Sequence, residues 1–263
     1  MCTWVELWRT FRPDSDVLVF PETFGSRVLE YPGKKVIFNK NLYYGFSVLR
    51  GKSADQDPYN GSNLLGVMAV SEHNQRHIKF AYPHLSVCRV VEHIDETRFP
   101  FVRFDKKKPQ GTYVSKSPSV LASILRTLET RARHGHSRLA NFKWIEIQGK
   151  TEHQVSELLQ ESMIFLFPSV EEGLGRLPLE ALLAGCMVLA FDVEPMTEYV
   201  PRSFVSKYMD ICSLVSKIEE AVNPDCNLKA LQEEIIVGRN TALTFSAAQQ
   251  ERTVCEAWEL FLR

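Results

Sequence analysis

Short apolar runs of strand length alternate with helix-forming stretches along most of this chain, and no other feature restricts its fold as strongly. That alternation is the mark of βαβ units and a parallel sheet. In the first third, strands are predicted at 16–20, 35–38, 65–70 and 86–91, with a helix over 72–80. A polar connector follows at 93–99 and 106–109, with the look of an interdomain linker. Further on, strands are predicted near 112–114 and at 142–147, 163–167 and 187–191. Helices are predicted over 118–133, 152–161 and 178–184, and two more close the chain at 228–238 and 247–262. The fold class is α/β, with two doubly wound lobes. Residues 1–100 form an N-terminal lobe and 101–246 a C-terminal lobe. A last helix spans 247–263, with a return to the N-terminal lobe as one option.

Composition narrows the function classes. The 31 Lys+Arg against 32 Asp+Glu among 263 residues leave a formal charge of -1, without the basic excess a general nucleic-acid binder needs. No apolar run reaches the roughly 18–20 residues that span a bilayer. Glu6 and Arg9 fall where a signal peptide needs an uncharged stretch, so a cytoplasmic location is expected. The six cysteines are scattered, with no Cys-x-x-Cys pair, which fits neither a zinc site nor a disulfide framework.

Chemistry concentrates in the segment from Phe167 to Phe191, which reads FPSVEEGLGRLPLEALLAGCMVLAF. It is a buried strand, a glycine-bearing loop, a helix and a second strand. Gly173 and Gly175 let backbone approach a ligand closely, and Pro178 presets the first helical turn. Unpaired N–H groups at such a helix start form an anion site. Glu172 in the loop and Glu180 in the helix flank it, placed to accept hydrogen bonds from sugar hydroxyls.

Glu172 and Glu180 within EGLGRLPLEALLAGCMVLAF closely resemble the donor-site signature of retaining GT-B glycosyltransferases of the "group 1" family. Residues 157–169 resemble that family's helix and strand just before the signature. Val70-Ser71-Glu72, Ile94-Asp95 with Phe99, and Phe245-Ser246 resemble other family landmarks. The resemblance implies two Rossmann-like lobes facing across a cleft, the N-terminal one reduced. It implies transfer of a sugar from a UDP- or GDP-linked donor to a glycan or small-molecule acceptor, with retention. Glu172 would bind hydroxyls of the donor sugar and Glu180 the nucleotide ribose. Backbone N–H groups of Leu174 and Gly175 would face sugar and diphosphate, beside Gly173. Lys116 matches the basic residue that stabilises charge on the leaving diphosphate. Neither a metal nor another cofactor is implied. A glycine-rich first turn and an early histidine, which many relatives carry on the acceptor side, are not recognisable here. The alternative is therefore a donor-lobe homologue that acts as a non-catalytic binding or partner subunit.

Other residues have two readings. Arg176, beside the helix start, is a second phosphate contact or a plain surface cation. Asn39, Asn41 and the tyrosines after the second strand line an acceptor side or form a packed loop, and His93 is a polar cleft group or a linker residue. His73 and His77 have the spacing of a metal pair without an obvious third ligand, so packed or solvated histidines are the preferred reading. Asp14-Ser-Asp16 and Asp55-Gln-Asp57 are read as turn chemistry. Trp4, Leu7, Trp8 and Phe11 recur at helical spacing, as core or as a face for a protein partner or the inner surface of a membrane.

Overall fold

The computed structural model describes residues 10–136 and 139–263. The chain divides into two compact units, one of Met1–Val91 with Gln250–Arg263 and the other of Glu92–Gln249. Each carries its own parallel sheet. The expected helix containing Trp4, Leu7 and Trp8 lies outside the described residues.

In the first unit, strands β1 (Val17–Pro21), β2 (Lys34–Asn39), β3 (Leu64–Ala69) and β4 (Val87–Arg89) lie side by side in chain order, all parallel. Helices α1 (Leu42–Ser47) and α2 (Glu72–Ala81) belong to the connections between them. Successive side chains on a strand point to opposite faces, so each strand feeds two cores. Ile37, Val67 and Ala69 pack with Leu42, Tyr59 and Ile78 on one face. Val36, Met68 and Val90 pack on the other against Ala257 and Phe261 of the last helix. Gly66 makes that second contact close, since a Cβ there would run into the Phe261 ring.

The second unit holds β5 (Lys108–Tyr113), α3 (Pro118–Arg133), β6 (Lys143–Glu146), α4 (Glu152–Glu161) and β7 (Ser162–Phe167). There follow α5 (Arg176–Leu183), β8 (Met187–Phe191), β9 (Val205–Ser206), α6 (Ile211–Ala221) and α7 (Leu228–Leu243). The final helix α8 (Ala247–Phe261) begins here, and its later turns belong to the first unit. The sheet order is β6-β5-β7-β8-β9, all parallel. Strand β8 is buried throughout and β7 nearly so, which explains their unbroken apolar runs.

Several elements depart from expectation, the short strand β9 among them. The polar stretch 106–109 is not linker: β5 starts at Lys108, and Lys107 is buried. Residues 42–47 are helical rather than loop, because Asn41 caps them by accepting from the N–H groups of Tyr43 and Tyr44. Helix α6, capped by Asp210, was not expected at all.

Candidate functional site

The strand order of the second unit fixes where a ligand site can form. The chain runs from β5 outward to β6, then returns to β7 on the other side of β5. Such a reversal opens a crevice at the carboxyl ends of the two strands on either side of it. Lys116 follows β5 and Glu172 follows β7, so both belong to that place.

They meet there. The Lys116 Nζ donates to Glu172 Oε2 at 2.9 Å across 56 positions of sequence, and lies 5.9 Å from the centre of the Phe167 ring. Glu172 is 6% exposed, and its other oxygen accepts from the Gly173 N–H at 3.2 Å. Lys116 remains substantially exposed, so its charge is available to an incoming anion.

The glycine loop runs from Glu172 into α5. Gly175 takes the place before the helix with φ +81, the left-handed region that glycine enters without strain. A Cβ at Gly175 would also sit 2.7 Å from both Met196 Cε and Tyr199 Oη. The first N–H groups of α5 have no partner within the helix, and the positive end of its dipole lies with them.

Arg176 opens α5 as expected of a residue at the helix start. Its guanidinium is 3.5 Å from Glu92 Oε1 and 4.0 Å from Glu180 Oε1. Glu180, one turn on, is largely buried. Burial pushes its carboxyl above the ordinary carboxylate range, and Arg176 partly offsets that rise. Lys116, Glu172 and Gly173 thus form one cluster, and Arg176, Glu180 and Glu92 a second at the start of α5. Glu92 and Tyr199 were not singled out from sequence, where neither carries a local pattern.

The expected acceptor-side residues divide between the units. Asn39 and Asn41 belong to the first. Asn39 Oδ1 accepts from Asn74 at 2.9 Å, and Asn41 Oδ1 caps α1. The buried carboxylate of Glu22 accepts from the N–H groups of Lys40 and Asn41 at 3.1 and 3.0 Å, fixing this turn. His93 is half-buried in the second unit, just after β4. His73 and His77 lie against Tyr43 and Phe46, and among the described residues no group of three His, Cys, Asp or Glu could hold a metal ion. Asp16 and Asp57 serve turns, accepting from the N–H groups of Arg12 and Tyr59.

Comparison with known proteins adds to this geometry. Residues 137–234 match the family described as glycosyl transferases group 1. The chain is 36% identical over 184 residues to an alpha-1,6-glucosyltransferase of Actinobacillus pleuropneumoniae serotype 7, covering 67% of this chain and 52% of that one. Among solved structures it resembles a TarM mutant of S. aureus in complex with fondaparinux, alpha-GlcNAc-glycerol and UDP. That match has TM-score 0.71 at 14% identity, over 98% of this chain and 57% of the other. A UDP-forming trehalose-phosphate synthase of Burkholderia xenovorans matches with TM-score 0.71 at 11% identity, over 97% and 76% of the two chains. The chain therefore spans about half the length of the curated relative it matches.

Proposed function

We propose that the chain moves a sugar from a nucleotide-diphosphate donor to an acceptor, because residues 137–234 match the glycosyl transferases group 1 family on an α/β fold of the GT-B type. The donor is UDP- or GDP-linked, the sugar a hexose or a relative of one, and the anomeric configuration is retained. The acceptor is a glycan or a small molecule. The observation that carries this reading is the meeting of Lys116 with Glu172 at the switch point, beside a glycine loop that opens a helix. A UDP ligand in the TarM complex and UDP formation by the trehalose-phosphate synthase lend it support.

Each residue then has a task. A diphosphate leaving group gains negative charge as the glycosidic bond breaks. Lys116, Arg176 and the N–H groups at the start of α5 are fixed positive partners for it, and preorganised partners of that kind supply large rate terms. The donor phosphate would draw Lys116 from Glu172, freeing that carboxylate to accept from hydroxyls of the sugar, while Glu180 accepts from the ribose. In this arrangement lysine, arginine and the helix dipole do the work of a cation, so transfer needs no metal. Attack and departure share one face of the sugar, so no protein nucleophile is used. His93 is proposed for the acceptor side, whereas Asn39 and Asn41 are buried and hydrogen-bonded within the first unit. No helix among the described residues is long and apolar enough to cross a membrane, and the proposed location is the cytoplasm, with a peripheral membrane contact or protein partner as an option.

A thermal-shift series with UDP, GDP, dTDP and ADP on wild type, Glu180→Ala and Lys116→Ala tests the donor site. A bound nucleotide raises stability by RT ln(1 + [L]/Kd), about 2.7 kcal/mol at a hundredfold excess over Kd. One nucleotide is expected to stabilise wild type, with the response lost or strongly reduced in both variants. Turnover of its sugar conjugates then separates a transferase from a binding subunit, and no shift with any nucleotide sinks the donor site.

A further inference from the structure

Tyr199 lies outside every motif that points to the donor site, yet its hydroxyl reaches into the glycine loop. The ring is fully enclosed, 3% exposed, and packs edge-on against Phe245 with ring centres 5.9 Å apart. Its O–H is 2.6 Å from the Leu174 carbonyl oxygen and 3.0 Å from that of Gly175, with Met196 Sδ at 3.4 Å. Burial holds the phenol far above its ordinary range, so it is a donor at any physiological pH.

Two successive carbonyls thus converge on one hydroxyl. A trans peptide sets its C=O and the following N–H in opposite directions. With the oxygens of Leu174 and Gly175 turned toward Tyr199, the N–H groups of Gly175 and Arg176 turn away from it together. Two adjacent N–H groups aimed alike form a concave anion cradle, here at the positive end of α5. The missing side chain at Gly175 lets the phenol come this close.

We infer that Tyr199 is a positioning residue for donor binding: its hydroxyl clamps the loop so that the N–H groups of Gly175 and Arg176 converge on the diphosphate. This rests on the donor-site reading above, and it makes a narrower claim. The hydroxyl serves affinity for the phosphates and leaves affinity for the nucleoside alone.

The test compares Tyr199→Phe, which keeps the ring and removes the hydroxyl, with wild type in calorimetric binding of UDP and of uridine, or the GDP and guanosine pair if that nucleotide binds. Phe245→Leu, which loosens the ring but leaves the hydroxyl, is the packing control. UDP affinity should fall about tenfold in Tyr199→Phe, a step of about 1.4 kcal/mol, while uridine affinity changes less than about twofold. Phe245→Leu should lower the melting temperature and keep the UDP-to-uridine ratio. Unchanged UDP affinity in Tyr199→Phe, equal losses of UDP and uridine, or the same fall in ratio with Phe245→Leu would each overturn the clamp with the donor site intact. Absence of any nucleotide binding to wild type would overturn both.

Discussion

At the level of single residues, Glu180, proposed above to meet the ribose, shows how a group placed for binding can work against the fold that holds it. Its carboxyl is raised by burial, so the folded state resists its ionisation. A group raised in the folded state contributes stability below its unfolded value, and that contribution is lost as pH rises through the folded value. Glu180→Gln keeps the shape and removes the charge. The variant is expected to melt at or above the wild-type temperature at neutral pH, and the decline above the ordinary carboxylate range should flatten. Nucleotide affinity should meanwhile fall about 10- to 100-fold, the worth of a hydrogen bond to a charged group. Melting curves from pH 4 to 8 with and without nucleotide check both halves, and a loss of stability with unchanged affinity contradicts them. Glu180 could be singled out from sequence because it stands in a helix opened by a glycine loop. Tyr199 could not, since its contact with Leu174 spans 25 positions and leaves no local pattern.

Among the elements, the strands were the legible part. Unbroken apolar runs such as Phe165-Leu166-Phe167 admit little but a central strand, and β7 and β8 fall where the runs do. Charge misled where tertiary contacts override it, as in the stretch around Lys107. Its ammonium is buried at the C-terminal end of α4, donating to the carbonyls of Leu159 and Gln160 at 2.7 and 3.0 Å, with Cys186 Sγ at 3.8 Å. A lysine there meets carbonyls that have no partner within the helix, and the negative end of its dipole. Removing it takes the ammonium from both oxygens and leaves Leu159 with the weaker Cys186 thiol at 3.1 Å, so Lys107→Met should destabilise by about 2 kcal/mol despite its greater apolarity. Burial pushes the Lys107 ammonium below the ordinary lysine range. The unfolded chain then binds the proton more readily, and this term makes stability rise as pH climbs through that window toward 10.5. Denaturant titrations at pH 7 and pH 10 should show the rise diminished in the variant, and an unchanged midpoint at pH 7 would refute the cap. Helix α1 was missed for a different reason. Its sequence, Leu-Tyr-Tyr-Gly-Phe-Ser, has poor helix propensity, and the Asn41 cap together with packing of Leu42 into the core overrides it.

For the whole molecule, the chain's path makes a claim that no single element does. The first unit is discontinuous, built from Met1–Val91 and completed by Gln250–Arg263, whereas the second is the unbroken stretch Glu92–Gln249. The first sheet winds in one direction, β1-β2-β3-β4, and α8 covers its other face. That helix supplies Ala257 and Phe261 to the core formed by Val36, Met68 and Val90. Deleting the Phe261 ring therefore opens a cavity in the first unit only. A buried Phe→Ala change costs about 3–5 kcal/mol, a large part of what a domain of this size has to spare. Phe261→Ala should thus accelerate amide hydrogen exchange across β2, β3 and β4. Amides of β5, β7 and β8, whose core lies in the second unit, should keep their protection. The glycine loop and its clamp also belong to the second unit, so the nucleotide-induced shift of that unit should persist in this variant. Uniform acceleration in both sheets would mean that the two units unfold as one, against the division of the chain seen here.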